Sequence, residues 1–473
     1  MMVSKHWNDN IPFVFAIQLL SLFIMGIVEF FIMTKGYPLP ISLNLITNGG
    51  IALSLLALWA ITLWKTPRSF LHRDVILGVV MVLWFLVVEM NRRINYIPLQ
   101  SMTILFAVYL IALPFASITQ DQDRQIGIRL VSGFYIAGSL LFMALALILL
   151  LGGTFSGLLE GKVYWDGARL LVISHPNITS RIFMIALALC MGFFGDAKKI
   201  WVKVLFFVAA ALLFAGTALT NTRAVIIVVC VILAGNVFFG VFQNNWKRFL
   251  ISVIAAIVAV VVFYISSTAI FEWNVARLIS QPTMDVVQEQ TSADYEIQTI
   301  ASDILSSGET TIVSEQIPPK DRPEGNSNSG QKSFLSDLPT LNNRTIIWSA
   351  FIFKIRDNPG ILLHGTIDSR LVRNNLHTHN AWLEALIMLG LPGLLLVIAF
   401  SWNATWSSLR LLWSSSVGMF QKNIALLTLA TMVAALLEPC LFITYTEWNF
   451  SDFFFFLCLG YLTLWNKQIP RKK

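Results

Sequence analysis

Apolar residues in this chain come in long unbroken runs, and polar residues are confined to the gaps between them. Crossing the hydrocarbon core as a helix takes about 20 apolar residues, and that length predicts about twelve spans. Their limits are 11–33, 44–64, 75–91, 100–118, 130–152, 178–195, 201–220, 223–242, 250–271, 392–413, 424–446 and 450–466. The expected fold class is therefore an all-α integral membrane protein with one large hydrophilic loop. The pattern divides the chain into a nine-span region at 1–271, the loop at 272–391 and a three-span region at 392–473.

The loop has two textures. Residues 281–336 are rich in Ser, Thr, Gln, Asp, Glu and Pro, a composition that buries too little apolar surface to offset ordering entropy, so a partly disordered stretch is expected there. From Arg344 to Arg356 helical spacing returns, with Ile347, Phe351 and Ile355 four apart, and it stops at Asp357-Asn358-Pro359-Gly360. An amphipathic surface helix capped by Asn342 or Asn343 is expected. A second short helix should run from about Asn380 to Leu389, after Leu376-His377-Thr378-His379. Gly390-Leu391-Pro392-Gly393 should interrupt it, with Pro392 in the first turn of the following span, where a missing N–H costs nothing.

Composition agrees with this picture. With 56% hydrophobic and 12% charged residues and a mean hydropathy of +0.71, the chain is too apolar for a soluble globule. The net charge of +7 suggests nucleic acid until its distribution is read. The basic residues, among them Lys65, Arg68, Arg73, Arg124, Arg129, Lys198, Lys199, Lys247 and Arg410, fall mostly in short loops of one side. The positive-inside rule makes that side cytoplasmic, puts both termini there and places the large loop outside. No nucleic-acid partner is expected; membrane lipids are. Cys190, Cys230, Cys440 and Cys458 all lie in apolar runs and read as packing residues. The first apolar run lacks a small-residue cleavage site and reads as a retained span.

An ionisable residue in or beside a span is costly and marks a functional candidate. Here the set is Glu29, Glu89, Arg92, Arg93, Arg181, Arg223, Arg344, His379 and Glu438, all toward the outer leaflet. Comparable groups are absent from the bilayer midplane, where transporter sites commonly sit. Arg223 closes the short turn Thr220-Asn221-Thr222-Arg223; it either snorkels to headgroups or grips a phosphate with its planar fork. Arg344 stands in the first turn of a helix, where free N–H groups already favour an anion. Arg92 and Arg93 are phosphate contacts or headgroup anchors. Imidazole has the unperturbed pKa nearest neutrality, which suits His379 to act as a general base, against the plainer reading of a solvated loop histidine. A zinc site from His364, His377 and His379 is disfavoured by their spacing and by the lack of an outer cysteine, so no metal or other cofactor is expected. Glu438, before Pro439, must find a partner, either an outer arginine or His379.

His379-Asn380, nine residues, Gly390, then Pro392-Gly393 resembles the signature of the O-antigen ligase and polymerase superfamily of bacterial membrane glycosyltransferases. Leu219-Thr220-Asn221-Thr222-Arg223-Ala224 is similar to that family's arginine turn. Asn342-Asn343-Arg344 with Trp348 and Asp357-Asn358-Pro359 resembles the segment with its second arginine, and Ser174-His175-Pro176-Asn177 resembles a weaker element. The resemblance implies a C-type glycosyltransferase-like fold in the bacterial inner membrane, with its site facing the periplasm or exterior. It implies an undecaprenyl-diphosphate-linked saccharide as donor, a glycan or lipid A core as acceptor, and no metal. Carried over, Arg223 and Arg344 would bind the donor diphosphate and His379 would activate the acceptor hydroxyl. Asn380, Arg92 and Arg93 join the substrate-binding set. The stretch 281–336 has no counterpart in the family pattern. Ligase and polymerase share the signature; a lipid-linked saccharide transporter is the rival from another class.

Overall fold

A computed structural model describes residues 73–92, 121–152, 163–165, 170–172, 176–220, 222–242, 344–365, 380–436 and 450–468, with isolated helical positions between 246 and 261. The expected spans 11–33, 44–64 and 100–118, most of 250–271, and the stretch 281–336 lie outside the described residues. Within them the chain forms α1 (Arg73–Arg92), α2 (Asp121–Gly152), β1 (Val163–Trp165), β2 (Leu170–Val172), α3 (Pro176–Asp196), α4 (Ile200–Leu219), α5 (Arg223–Phe242), α6 (Arg344–Asp357), α7 (Ile361–His364), α8 (Ala381–Trp413), α9 (Met419–Ala434) and α10 (Phe450–Gln468).

Four described helical stretches are long and apolar enough to cross a membrane: Gln125–Ala144, Thr179–Asp196, Ile200–Leu219 and Ala381–Trp413. Two shorter apolar ones, Ile227–Phe239 and Met419–Ala434, stand among them. The protein is thus a predominantly helical membrane protein. The all-α expectation needs one correction. β1 and β2 pair antiparallel, Val163 opposite Val172 and Trp165 opposite Leu170. Strands of three residues are too short to show alternation, and only Asp166-Gly167 between them carries a hairpin signal.

Helix α3 is the hub. It packs against α2, α4, α5, α9 and α10, and Phe183, Met184, Ile185, Leu189 and Cys190 are buried along it. Small residues let neighbours approach closely, as expected between helices in lipid. A Cβ on Gly192 would come within 2.8 Å of the Phe420 Cα, and one on Gly235 within 2.4 Å of the Leu426 side chain. Buried hydroxyls return to their own helices: Ser139 donates to the Tyr135 carbonyl, Thr217 to Leu213, Ser401 to Val397 and Thr428 to Ile424. That removes the penalty of an unsatisfied polar group in hydrocarbon.

At one end of the bundle the Asp196 carboxylate, at the end of α3, ion-pairs with Arg129 of α2 and accepts the Met419 N–H of α9 at 2.8 Å. The Arg129 guanidinium also lies 5.1 Å from the Phe420 ring centre. One carboxylate therefore ties three helices. Asp196→Ala should lower stability by about 1–3 kcal/mol, the cost of leaving its partners unmet. Asp196→Asn, which keeps an acceptor for Met419, should recover part of that. Thermal unfolding in detergent checks both, and equal losses for the two variants would contradict the clasp.

Candidate functional site

Helix α8 begins at the opposite end, and its start is built from Asn380. That residue is extended, and its side-chain oxygen accepts from the Trp382 and Leu383 N–H groups at 3.0 and 2.9 Å, an N-cap that satisfies two orphan donors. Its amide nitrogen donates to the Leu436 carbonyl at 3.0 Å, and the Ala381 N–H donates to the Ala435 carbonyl at 2.9 Å. The start of α8 is thereby fastened to the end of α9. Glu384, one turn further on, is fully buried, a carboxylate in the helical turn where the dipole favours negative charge.

The interruption expected in α8 is present. Gly390 adopts φ 69° and ψ −176° inside an otherwise helical run. A Cβ there would also meet the Leu363 carbonyl oxygen at 2.7 Å and the Gly365 nitrogen at 3.0 Å. No other residue type suits a left-handed φ together with backbone this close. The break is thus the seat on which α7 docks, and α7 is joined to α6 by the turn at Asn358, Pro359 and Gly360.

Arg344 is the first residue of α6 and Arg223 the first of α5. α4 runs from just past the Asp196 clasp to Thr220, so α5 starts at the same end of the bundle as Asn380. Arg92 is the last residue of α1. His379 and Arg93 lie outside the described residues, as do His377 and Glu438. Asn380, grouped by resemblance with the substrate-binding residues, has its amide engaged in capping and in the bridge to α9. α6, expected to be amphipathic, buries Phe351 but exposes Ile352 and Phe353. Outward apolar side chains carry little penalty where a helix borders lipid rather than water. His364 of α7 is exposed, and its Nδ1 lies 2.9 Å from the Gly365 carbonyl oxygen. Among the described residues there is no cluster of metal-ligating side chains.

Residues 208–398, from the second half of α4 through the broken start of α8, match the sequence model of a family described as O-antigen ligase. That segment of the chain is similar to the O-antigen ligase family. No curated protein matches the chain. The matched segment encloses Arg223, Arg344, His379, Asn380 and Gly390. Sequence reasoning overlooked Glu384 and Trp84 of α1. Glu384 had a visible signal, an acid four residues after an N-capping asparagine. Trp84 had none, since an indole in an apolar run looks like any other packing residue.

Proposed function

We propose that the protein transfers a saccharide from undecaprenyl diphosphate to an acceptor hydroxyl at the extracytoplasmic face of a bacterial inner membrane, with both termini cytoplasmic. The acceptor oxygen attacks the anomeric carbon of the donor and the bond from that carbon to the diphosphate oxygen breaks. The lipid diphosphate leaves and His379 takes the hydroxyl proton. Arg223 and Arg344 hold the diphosphate and offset the charge that grows on it, with Arg92 and Arg93 as further contacts. Asn380 acts one step back, holding the backbone next to His379. The acceptor is a glycan or lipid A core, and residues 272–391 form the outer domain that carries Arg344 and His379.

The observation that carries this reading is that two arginines inside the matched segment each open a helix. A cation at a helix N-terminus opposes the dipole by about 0.3–1 kcal/mol. A diphosphate bound between the N–H groups and the guanidinium reverses that cost. Arg344→Ala should therefore weaken donor binding about tenfold to a hundredfold, corresponding to the loss of one charge-assisted hydrogen bond. Titration of the protein in nanodiscs with lipid-linked saccharide measures it, and unchanged affinity would remove Arg344 from the clamp.

The test of the function uses purified protein, lipid-linked donor and a separate glycan acceptor. Product on that acceptor supports ligation. Lengthening of the lipid-linked chain would make the protein a polymerase, and movement of donor across the bilayer without glycosidic bond formation would make it a transporter.

A further inference from the structure

Gly390 leaves helical φ/ψ directly after Leu389, and Pro392, three residues on, has no N–H to offer the Leu389 carbonyl. The indole N–H of Trp84 donates to that carbonyl at 2.9 Å, across 305 residues of sequence. Gly393 makes room for it: a Cβ at that position would lie 3.0 Å from the indole nitrogen and 2.1 Å from the Leu389 Cβ. The Leu363 carbonyl and the Gly365 N–H, at the end of α7, close on Gly390 itself. Three segments remote in sequence thus meet backbone to backbone, or indole to backbone, at one break.

Each segment leads to a candidate residue. Trp84 lies eight positions, about 12 Å of helix, before Arg92. α7 continues backward into α6, which opens with Arg344. Gly390 leads back along α8 to Asn380 and His379. Nothing in the chemistry proposed above uses Trp84, yet its N–H occupies the only acceptor through which α1 is seen to grip this break among the described residues.

We propose that Trp84 is a positioning residue: its indole N–H locks the Leu389–Gly390 break, and the lock fixes the spacing between α1, the α6–α7 unit and the start of α8. The proposal rests on the glycosyl-transfer reading for its catalytic consequence, whereas the lock itself is testable without any reaction. A merely structural indole would affect folded yield and melting; a positioning indole affects geometry and turnover in protein that is still folded.

The variant is Trp84→Phe, which keeps an aromatic ring and removes the donor. Spin labels at Val87→Cys and Ile352→Cys, both exposed positions, in a background with the native cysteines replaced, report the distance between α1 and α6 by pulsed dipolar spectroscopy. Folded fraction is normalised by size exclusion and thermal unfolding. Expected are a broadened or shifted distance distribution in Trp84→Phe, a kcat about tenfold to a hundredfold lower, and a raised donor KM with acceptor KM little changed. An unchanged distance distribution overturns the lock. A broadened distribution with wild-type kcat and KM overturns the positioning role. Should the unaltered protein transfer no saccharide at all, the glycosyl-transfer reading falls, and the distance distribution alone decides the lock.

Discussion

Gly390→Ala should destabilise the protein on the order of 2–4 kcal/mol, from a left-handed φ that alanine tolerates poorly and from a methyl group driven against backbone. At φ 69° the alanine Cβ would stand 2.7 Å from the Leu363 oxygen. The carbonyl is not the far end of a flexible side chain, so relief requires α7 to lift from α8. The expected result is a melting temperature several degrees lower in detergent, with transfer lost beyond what the folded fraction explains. Gly393→Ala, close by and without a left-handed φ, should also destabilise, because its Cβ would crowd the Leu389 Cβ and the Trp84 indole without meeting the α7 backbone directly. A Gly390→Ala protein that melts and turns over like the parent would show that the seat does not hold α7.

His379→Ala should reduce transfer about 10²–10⁴-fold, the usual contribution of a positioned proton acceptor, while donor affinity survives. The separation of these two quantities is the point of the experiment. The arginines carry binding and the imidazole carries proton transfer, so a combined loss of both would move His379 into the diphosphate clamp. Saccharide transfer and equilibrium donor binding, measured on the same nanodisc preparation, distinguish these outcomes. Full turnover by the variant would remove the base assignment altogether.

Where the described residues cover a span expected from the length rule, a helix is found with small shifts: 178–195 corresponds to Pro176–Asp196 and 201–220 to Ile200–Leu219. Long apolar runs are unambiguous because lipid leaves the backbone only the helix or the closed barrel. The break in α8 was legible too, because Gly390 and Pro392 carry backbone restrictions that no packing can hide. The contacts that join elements were not. Asp196 reads as an ordinary loop acid after an apolar helix, and its partners lie 67 and 223 residues away. The capping of α8 could be foreseen from an asparagine before a helix, but its bridge to Leu436 could not. Phe351 and Phe353 look alike in sequence; which one is buried depends on where α8 runs. The placement of His379 relative to Arg223 and Arg344 depends on such long-range contacts, and for that reason the motif order names the residues without giving their geometry.

Asn236 and Asn423 face each other between α5 and α9, joined at 2.9 Å and each also donating to a carbonyl one turn earlier in its own helix. A single bond of this kind in a bilayer adds only about 0.6 kcal/mol. Its effect on motion is larger, because turning α5 by one residue would swing the amide about 100° toward hydrocarbon with nothing there to receive it, at a cost of several kcal/mol. Rotation of α5 about its axis is thus opposed even in small steps, and the face that this helix turns toward α9 is set by one amide pair.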